Sequence, residues 1–270
     1  MIYQYVTDTV TRFKNEVNHV FKRFTVVFLK VLFVGYVAQV PFRNIAYHRH
    51  EQRDTLKDLG FELIPEISED DKWISELIFM SLHFIGIAYM IVPWFTSYAH
   101  SNKIMGVVMA EQWLDCLCVG HFFRFITYTS TSLPGPASHC RSGAPEPELY
   151  RPTELITFFT RKASSEDPNC GDLIFSGHMF QDVILCIILT RYATKVLPQR
   201  WLHVTVPSIM WCLAVVQAPL IIAARNHYTV DIVVACYLAP LVWIALDKYV
   251  FHKKEESVDI EQTYAQTYAL

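Results

Sequence analysis

The 270-residue sequence lacks several features that mark common classes of soluble protein. Lys and Arg together number 23 against 26 Asp and Glu, so the chain has no basic excess of the kind that binds nucleic acid. Its seven cysteines have no spacing typical of a zinc site. It has no N-x-Ser/Thr sequon, and its polar first 23 residues do not resemble a cleavable signal peptide. We therefore expect neither a nucleic-acid partner nor a bound metal.

Apolar residues are abundant instead. Hydrophobic residues make up 52% of the chain and mean hydropathy is +0.23, more than one soluble core requires. A helix needs about 20 mainly apolar residues to cross a bilayer. The runs lack the alternating polarity of spanning strands, so we predict an all-α membrane bundle of six transmembrane helices. The six runs are 24–40, 73–95, 104–127, 172–190, 201–224 and 229–247.

The six runs divide the chain into a membrane domain and two polar ends. We expect the membrane catalytic domain at residues 24–250, with cytosolic segments at 1–23 and 251–270. Basic residues before the first run favour a cytosolic N-terminus, although the long connections also carry many basic residues.

Two connections between the runs are long, 41–72 and 128–170. The second contains Cys140 and Cys170, the cysteines that lie outside the apolar runs. They could form a disulfide if this connection faces an oxidising lumen, or remain free thiols.

Two histidines lie at the start of apolar runs. His178, in "FSGH", opens the fourth run, and His227, in "RNHYTVD", opens the sixth. One hairpin separates them, so both should emerge on the same face of the membrane whichever way the chain is oriented. Ionisable residues at such positions are candidates for function.

The residue types at these two positions suit phosphoryl transfer. Asp231 follows His227 by four residues, so on a helix its carboxylate can hold one ring nitrogen and leave the other as a nucleophile. His178 can then donate a proton to a leaving alkoxide and later accept one from an incoming alcohol.

Three further groups are suited to phosphate oxygens. Ser176 and the backbone of Gly177 lie near a helix N-terminus, where anions are stabilised. Arg225 lies two residues before His227 and adds a cation.

The two motifs "CGDLIFSGH" and "HYTVDIVVACY" resemble the hallmark motifs of sphingolipid synthases, a branch of the lipid phosphate phosphatase superfamily. Residues 55–79 and 124–143 resemble the two upstream motifs of that family, most closely in its plant-type inositol phosphorylceramide synthases. The resemblance covers residues 20–250. It implies a six-span bundle with cytosolic termini and a luminal site.

The resemblance also implies a mechanism. His227 would attack the phosphorus of phosphatidylinositol, assisted by Asp231, and His178 would protonate the departing diacylglycerol. The primary hydroxyl of ceramide would then take the head group from the phosphohistidine, with His178 as base. No cofactor is implied, because one phosphodiester replaces another.

One departure separates the chain from the phosphatases of the superfamily, which carry K-x-x-x-x-x-x-R-P before S-G-H. Here the Arg-Pro pair is Arg151-Pro152, and Ala144 stands where the lysine would be. This favours a transferase and leaves the phosphate-binding cation open. The candidates are Arg225, Arg124 and Arg141.

Four acidic residues have weaker assignments. Glu111 and Asp115 interrupt the third run, and either contribute to the site or pair with Lys30 or another polar neighbour. Asp182 either orients His178 or makes a structural hydrogen bond deeper in the bundle. Asp172 is interpreted as a helix N-cap beside the phosphate-binding groups rather than as a catalyst.

The sequence leaves alternatives for function and location. The head group could be choline or ethanolamine instead of inositol, the enzyme could be a phosphatase, or the chain could be a non-catalytic ceramide sensor or lipid transporter. The expected partners are ceramide, phosphatidylinositol and diacylglycerol, with homo-oligomerisation left open. The resemblance suggests the Golgi membrane, with endoplasmic reticulum and plasma membrane as alternatives.

Overall fold

The structure, a computed structural model, describes residues 2–95, 106–144, 151–161 and 170–252. Every regular element within these residues is helical. Short 3-10 turns lie at Glu69–Asp71 and Ser138–Cys140, and wide helical turns lie at Phe33–Val37 and Asp247–Phe251. The α-helices are α1 (Ile2–Lys22), α2 (Phe24–Leu32), α3 (Pro41–Arg49), α4 (Leu59–Leu63), α5 (Trp73–Phe95), α6 (Gly106–Ser130), α7 (Leu155–Thr160), α8 (Gly177–Val196), α9 (Leu202–Ala223) and α10 (Thr229–Leu246).

Four helical segments of the described chain are long and apolar enough to cross a membrane, which makes this an integral membrane protein: Phe24–Arg49, Glu69–Pro93, Leu202–Ala223 and Thr229–Phe251. Their outward faces carry large exposed apolar side chains. On α10, for example, these are Val233, Tyr237, Leu241 and Ile244. Such a surface is stable against lipid and would be costly in water.

The remaining two predicted spans, α6 and α8, are long helices at the centre of the bundle. The central helix α8 packs against α5, α6, α9 and α10, and most of its side chains are buried. Because α6 and α8 face protein more than lipid, they carry buried polar residues such as Gln112 and Asp182 without contacting hydrocarbon. Among the described residues, four helical segments are long and apolar enough to cross a membrane, so the six-span topology stays a prediction.

The predicted connection 41–72 was wrong in its first residues, because these are helical. The first candidate span runs through a wide turn at Phe33–Val37 and continues as α3 to Arg49. Pro41 is the first residue of α3, where its missing amide hydrogen costs no helical hydrogen bond. Residues 41–49 are therefore helical, and they bring Arg43 towards the site described below.

A disulfide joins Cys140 and Cys170, which selects one of the two alternatives left open by the sequence. Its Cα atoms are 5.9 Å apart. The adjacent Gly171 has φ of 95°, and a Cβ atom there would lie 2.7 Å from the carbonyl oxygen of Ala46. The disulfide and this close approach hold the segment that precedes α8 against α3.

Candidate active site

The N-terminal ends of α8 and α10 meet through the backbone and side chain of Asp231. The amide of Ser176 donates to the carbonyl of Asp231 at 3.1 Å, and the amide of Ile174 donates to its Oδ1 at 3.0 Å. His178 follows Ser176 by two residues, and His227 bonds Asp231 directly. The prediction that both histidines lie at the same end of the bundle is thus confirmed.

Ile174 adopts an unusual backbone conformation at this junction. Its φ of 73° is in the left-handed region, which a β-branched side chain rarely occupies. The conformation aims its amide at Asp231. Strained backbone of this kind is retained where the surrounding structure requires it, and it often marks functional sites.

His227 and Asp231 form a buried pair. Nδ1 of His227 lies 2.9 Å from Oδ2 of Asp231, the contact that the four-residue spacing predicted. The two residues do not share a helix as expected, because His227 precedes α10 and Asp231 lies in its first turn. The same oxygen accepts from the amide of Tyr228 at 3.1 Å, which closes the first turn of α10. With three donors around it, the carboxylate holds a proton on Nδ1 and leaves Nε2 of His227 with its lone pair.

His178 has a carboxylate partner that the sequence analysis did not identify. Its Nε2 lies 3.5 Å from Oε2 of Glu76, in the first turn of α5. The imidazole also makes an edge contact with Phe79, with 4.2 Å between ring centroids. About a third of the His178 side chain is exposed, so the ring is held on one side and accessible on another. Glu76 lies within residues 55–79, which resemble a family motif, and this resemblance is the sequence feature that could have identified it.

Arg124 of α6 reaches the N-terminus of α8. Its Nε donates to the carbonyl of Phe175 at 3.0 Å, and Nη2 contacts the carboxylate of Asp172 at 2.9 Å. A Cβ atom on Gly177 would lie only 2.7 Å from Nη1 of Arg124. The glycine therefore permits a guanidinium to lie against the first turn of α8, beside Ser176, whose Oγ accepts from the amide of Met179.

Arg43 of α3 is a second cation that the sequence analysis missed. Its Nε lies 3.1 Å from the same Asp172 oxygen that Arg124 contacts. Burial of Asp172 opposes its ionisation, but the Arg43 and Arg124 charges, with a contribution from His227, hold its pKa below the ordinary value. Asp172 is thus an ionised partner of two guanidinium groups and not the helix cap, a position that Ser176 occupies.

The other two predicted cations lie on a different carboxylate. Arg141 contacts both oxygens of Glu66, at 2.9 and 2.8 Å, and Arg225 lies 3.7 Å from Glu66. Arg225 also donates to the carbonyl oxygens of Ile222 and Ile64, both at 3.1 Å. The structure therefore brings Arg124, but not Arg141 or Arg225, to the Asp172 group at the start of α8.

The acidic residues of the third run have structural partners. Glu111 lies 2.6 Å from Arg23 and 3.5 Å from His19, so it anchors α1 to α6. Asp115 lies 2.5 Å from Lys30, the partner that the sequence analysis considered. These ion pairs explain two costly carboxylates in an apolar helix.

Asp182 does not make the contact with His178 that one hypothesis assigned to it. Its Oδ1 lies 3.7 Å from Nδ1 of His83, and neither carboxylate oxygen accepts a hydrogen bond within the described residues. The carboxylate beside His178 is Glu76.

The assembled groups form a candidate active site. It contains a histidine oriented by one carboxylate, a second histidine beside another carboxylate, and two guanidinium groups at a helix N-terminus. These are the parts that nucleophilic attack, proton transfer and charge stabilisation at phosphorus need. Fold and site thus indicate an integral membrane protein with a candidate site for phosphoryl transfer at one end of its helical bundle.

Comparison with known proteins identifies the family. Residues 169–249 match the family model described as PAP2 superfamily C-terminal. Phosphatidylinositol:ceramide inositolphosphotransferase 2 of Arabidopsis thaliana is 36% identical over 222 residues, covering 81% of this chain and 69% of the relative. Phosphatidylinositol:ceramide inositolphosphotransferase of Oryza sativa subsp. indica is 34% identical over 216 residues, covering 78% of this chain and 62% of the relative.

A more distant relative is phosphatidylcholine:ceramide cholinephosphotransferase 1 of Homo sapiens, 33% identical over 131 residues that cover 46% of this chain and 30% of the relative. The chain belongs to the sphingolipid synthase family, whose named members are ceramide phosphotransferases. The resemblance stated from the motifs is thereby confirmed.

Proposed function

We propose that this protein is an inositol phosphorylceramide synthase. It transfers phosphoinositol from phosphatidylinositol to the primary hydroxyl of ceramide and releases diacylglycerol. The observation that carries the proposal is the His227–Asp231 hydrogen bond of 2.9 Å at the junction of α8 and α10. The choice of inositol is supported by the plant relatives, which are similar over a greater share of the chain than the human cholinephosphotransferase.

The first step forms a phosphohistidine. Nε2 of His227 attacks the phosphorus while Asp231 retains the Nδ1 proton and stabilises the charge that develops on the ring. The bond from phosphorus to the diacylglycerol oxygen breaks, and His178 gives its proton to that oxygen. The carboxylate of Glu76, 3.5 Å from Nε2 of His178, holds the ring in place for this proton transfer. Arg124 and Arg43 balance the charge on the phosphoryl oxygens in this proposal, which is supported by the contact of both with Asp172 near the start of α8.

The second step reverses these roles with a different alcohol. The primary hydroxyl of ceramide transfers its proton to the now neutral His178, and its oxygen attacks the phosphorus. The bond between phosphorus and Nε2 of His227 breaks, which returns both histidines to their starting states. Both substrates are membrane lipids, and a site at the edge of the apolar bundle limits access of water as a competing acceptor.

The proposed topology has six spans, with both termini in the cytosol and the active site in the lumen, most simply of the Golgi. The disulfide between Cys140 and Cys170 supports this orientation, because it lies beside the catalytic end and such bonds persist in oxidising compartments. Diacylglycerol leaves laterally into the same membrane.

The decisive experiment supplies the purified, reconstituted protein with a fluorescent ceramide and one phospholipid at a time. The expected product is an alkali-stable inositol phosphorylceramide formed with phosphatidylinositol. A requirement for phosphatidylcholine or phosphatidylethanolamine would identify a different head group. Release of free phosphate without transfer would indicate a phosphatase. Absence of turnover with every donor would support a sensor or transporter and contradict the proposal.

The covalent step has its own test. Phosphatidylinositol labelled with ³²P is added without ceramide, and the protein is examined for acid-labile, alkali-stable label. His227→Ala should abolish both the label and transfer. His178→Ala should also abolish transfer while membrane insertion is retained. Transfer by His227→Ala at close to the wild-type rate would exclude a phosphohistidine at this residue.

A further inference from the structure

Asp172 occupies a position that a phosphate-binding site would not require. Two guanidinium groups at a helix N-terminus already form a strong anion site. Yet Arg124 and Arg43 both contact one oxygen of Asp172, at 2.9 and 3.1 Å. Two positive charges and one negative charge leave the cluster with a net charge of plus one.

A net charge of plus one matches a phosphodiester better than a phosphomonoester. A phosphodiester carries one negative charge, whereas a phosphomonoester carries about 1.5 to 2 at neutral pH. We propose that Asp172 is a specificity-determining residue that makes the site select phosphodiester lipids over phosphomonoesters such as phosphatidate or free phosphate. This inference rests on the proposed function, because it concerns the choice of phosphorylated substrate at the same site.

Contacts at both ends of the segment before α8 fix the position of Asp172. Arg124 also donates to the backbone carbonyl of Asp172 at 3.3 Å and to that of Phe175 at 3.0 Å, so the guanidinium is fixed along the segment before α8. The disulfide at Cys170 and the close approach of Gly171 to Ala46 hold the other end of that segment. Asp172 therefore has little freedom to withdraw when an anion enters.

The charge of the cluster also accounts for a departure in the sequence. Phosphatases of the superfamily present a lysine and an arginine from one motif, and here Ala144 replaces that lysine. The cations here are Arg43 of α3 and Arg124 of α6, and both contact the carboxylate of Asp172. Because Asp172 cancels one of the two arginine charges, the site can still bind an anion, but its preference for a dianion is weaker.

The test compares wild type with Asp172→Asn, which keeps the shape and removes the charge. Two quantities are measured near pH 8: the inhibition constant of inorganic phosphate, which is mainly a dianion there, and the KM for dioctanoyl phosphatidylinositol. In the variant, the ratio of the inhibition constant to KM should fall about tenfold, the effect of removing one charge about 6 Å from phosphorus at an effective dielectric constant of about 40. Calorimetry with inorganic phosphate provides a binding readout that does not need turnover.

The matched control is Glu66→Gln. Glu66 is also a carboxylate with two arginine neighbours, Arg141 and Arg225, but these contacts lie apart from Asp172. This variant should leave the ratio within about twofold of wild type. An unchanged ratio in Asp172→Asn, or an equal shift in both variants, overturns the inference.

Arg43→Gln extends the test and covers the case in which Asp172→Asn does not fold. Loss of a cation should raise the phosphate-to-substrate ratio, and combining it with Asp172→Asn should bring the ratio back towards wild type. Arg43→Gln with an unaltered ratio refutes the charge argument. Wild-type protein without head-group transfer would instead refute the proposed function, and the calorimetric comparison would still judge the role of Asp172.

Discussion

Replacing Asp231 with asparagine separates the charge of this residue from its shape. The native carboxylate accepts from three donors: Nδ1 of His227, the amide of Tyr228 and the amide of Ile174. An asparagine has a single acceptor oxygen, so its amino group must face one side of this arrangement. If it faces Ile174, two N–H donors oppose each other. If it faces His227, Nδ1 must become the acceptor and the proton moves to Nε2.

The second arrangement removes the nucleophile, and both remove the negative charge that stabilises the developing imidazolium. The same substitution in a serine-protease triad lowers kcat by about 10⁴ because it changes the tautomer of the histidine. We expect transfer by Asp231→Asn to fall by at least about 10³-fold. The free energy of unfolding should fall by only about 1–3 kcal/mol, the cost of one unsatisfied buried donor.

The assay is kcat/KM for transfer to fluorescent ceramide, with melting in detergent as the measure of folding. Asp231→Asn is compared with His227→Ala and with the double variant. Because Asp231 acts through His227, the double variant should be no slower than His227→Ala alone. The reasoning fails if Asp231→Asn keeps more than a tenth of wild-type activity, or if the two losses multiply.

Three further substitutions have distinct expected outcomes. Gly177→Ala places a methyl group 2.7 Å from Nη1 of Arg124, so transfer should fall at least about tenfold with little change in melting; wild-type kinetics would contradict the close approach. Cys140→Ser removes the disulfide with Cys170 and should destabilise the fold by about 2–4 kcal/mol, seen as lower melting that dithiothreitol no longer affects. Glu111→Gln weakens the ion pair with Arg23, which joins different elements from those that carry His178 and His227. Melting should therefore fall while kcat of the folded protein stays within about threefold, and a larger kinetic loss would assign Glu111 to the site.

The parts of the fold that depend on local sequence were predictable. The run 229–247 corresponds to α10 at Thr229–Leu246, and the run 73–95 corresponds to α5 at Trp73–Phe95. Lipid-facing helices can be recognised in the sequence because their exposed positions must be apolar. The run 172–190 begins before the helix, which starts at Gly177. Leu173, Ile174 and Phe175 are apolar but lie in irregular backbone before the capping residue Ser176.

The carboxylate and cation that complete the site were not predictable in the same way. Glu76 lies about 100 positions before His178, and Arg43 lies about 130 positions before Asp172. No spacing rule links residues on different helices. His227 and Asp231, in contrast, are four residues apart, with His227 just before α10 and Asp231 in its first turn. Conversely, Arg225 lies two residues before His227 in the sequence but contacts Glu66, and its own backbone has φ of 57°.

The sequence by itself determined the apolar helices, the His227–Asp231 pair and the position of both histidines at one end of the bundle, because each depends on spacing, length or parity along the chain. Only the tertiary structure decided which carboxylate contacts His178, which arginines surround Asp172, and that Cys140 is bonded to Cys170. Those choices depend on how α3, α5 and α6 pack around α8, and packing is a property of side chains that meet from distant parts of the chain.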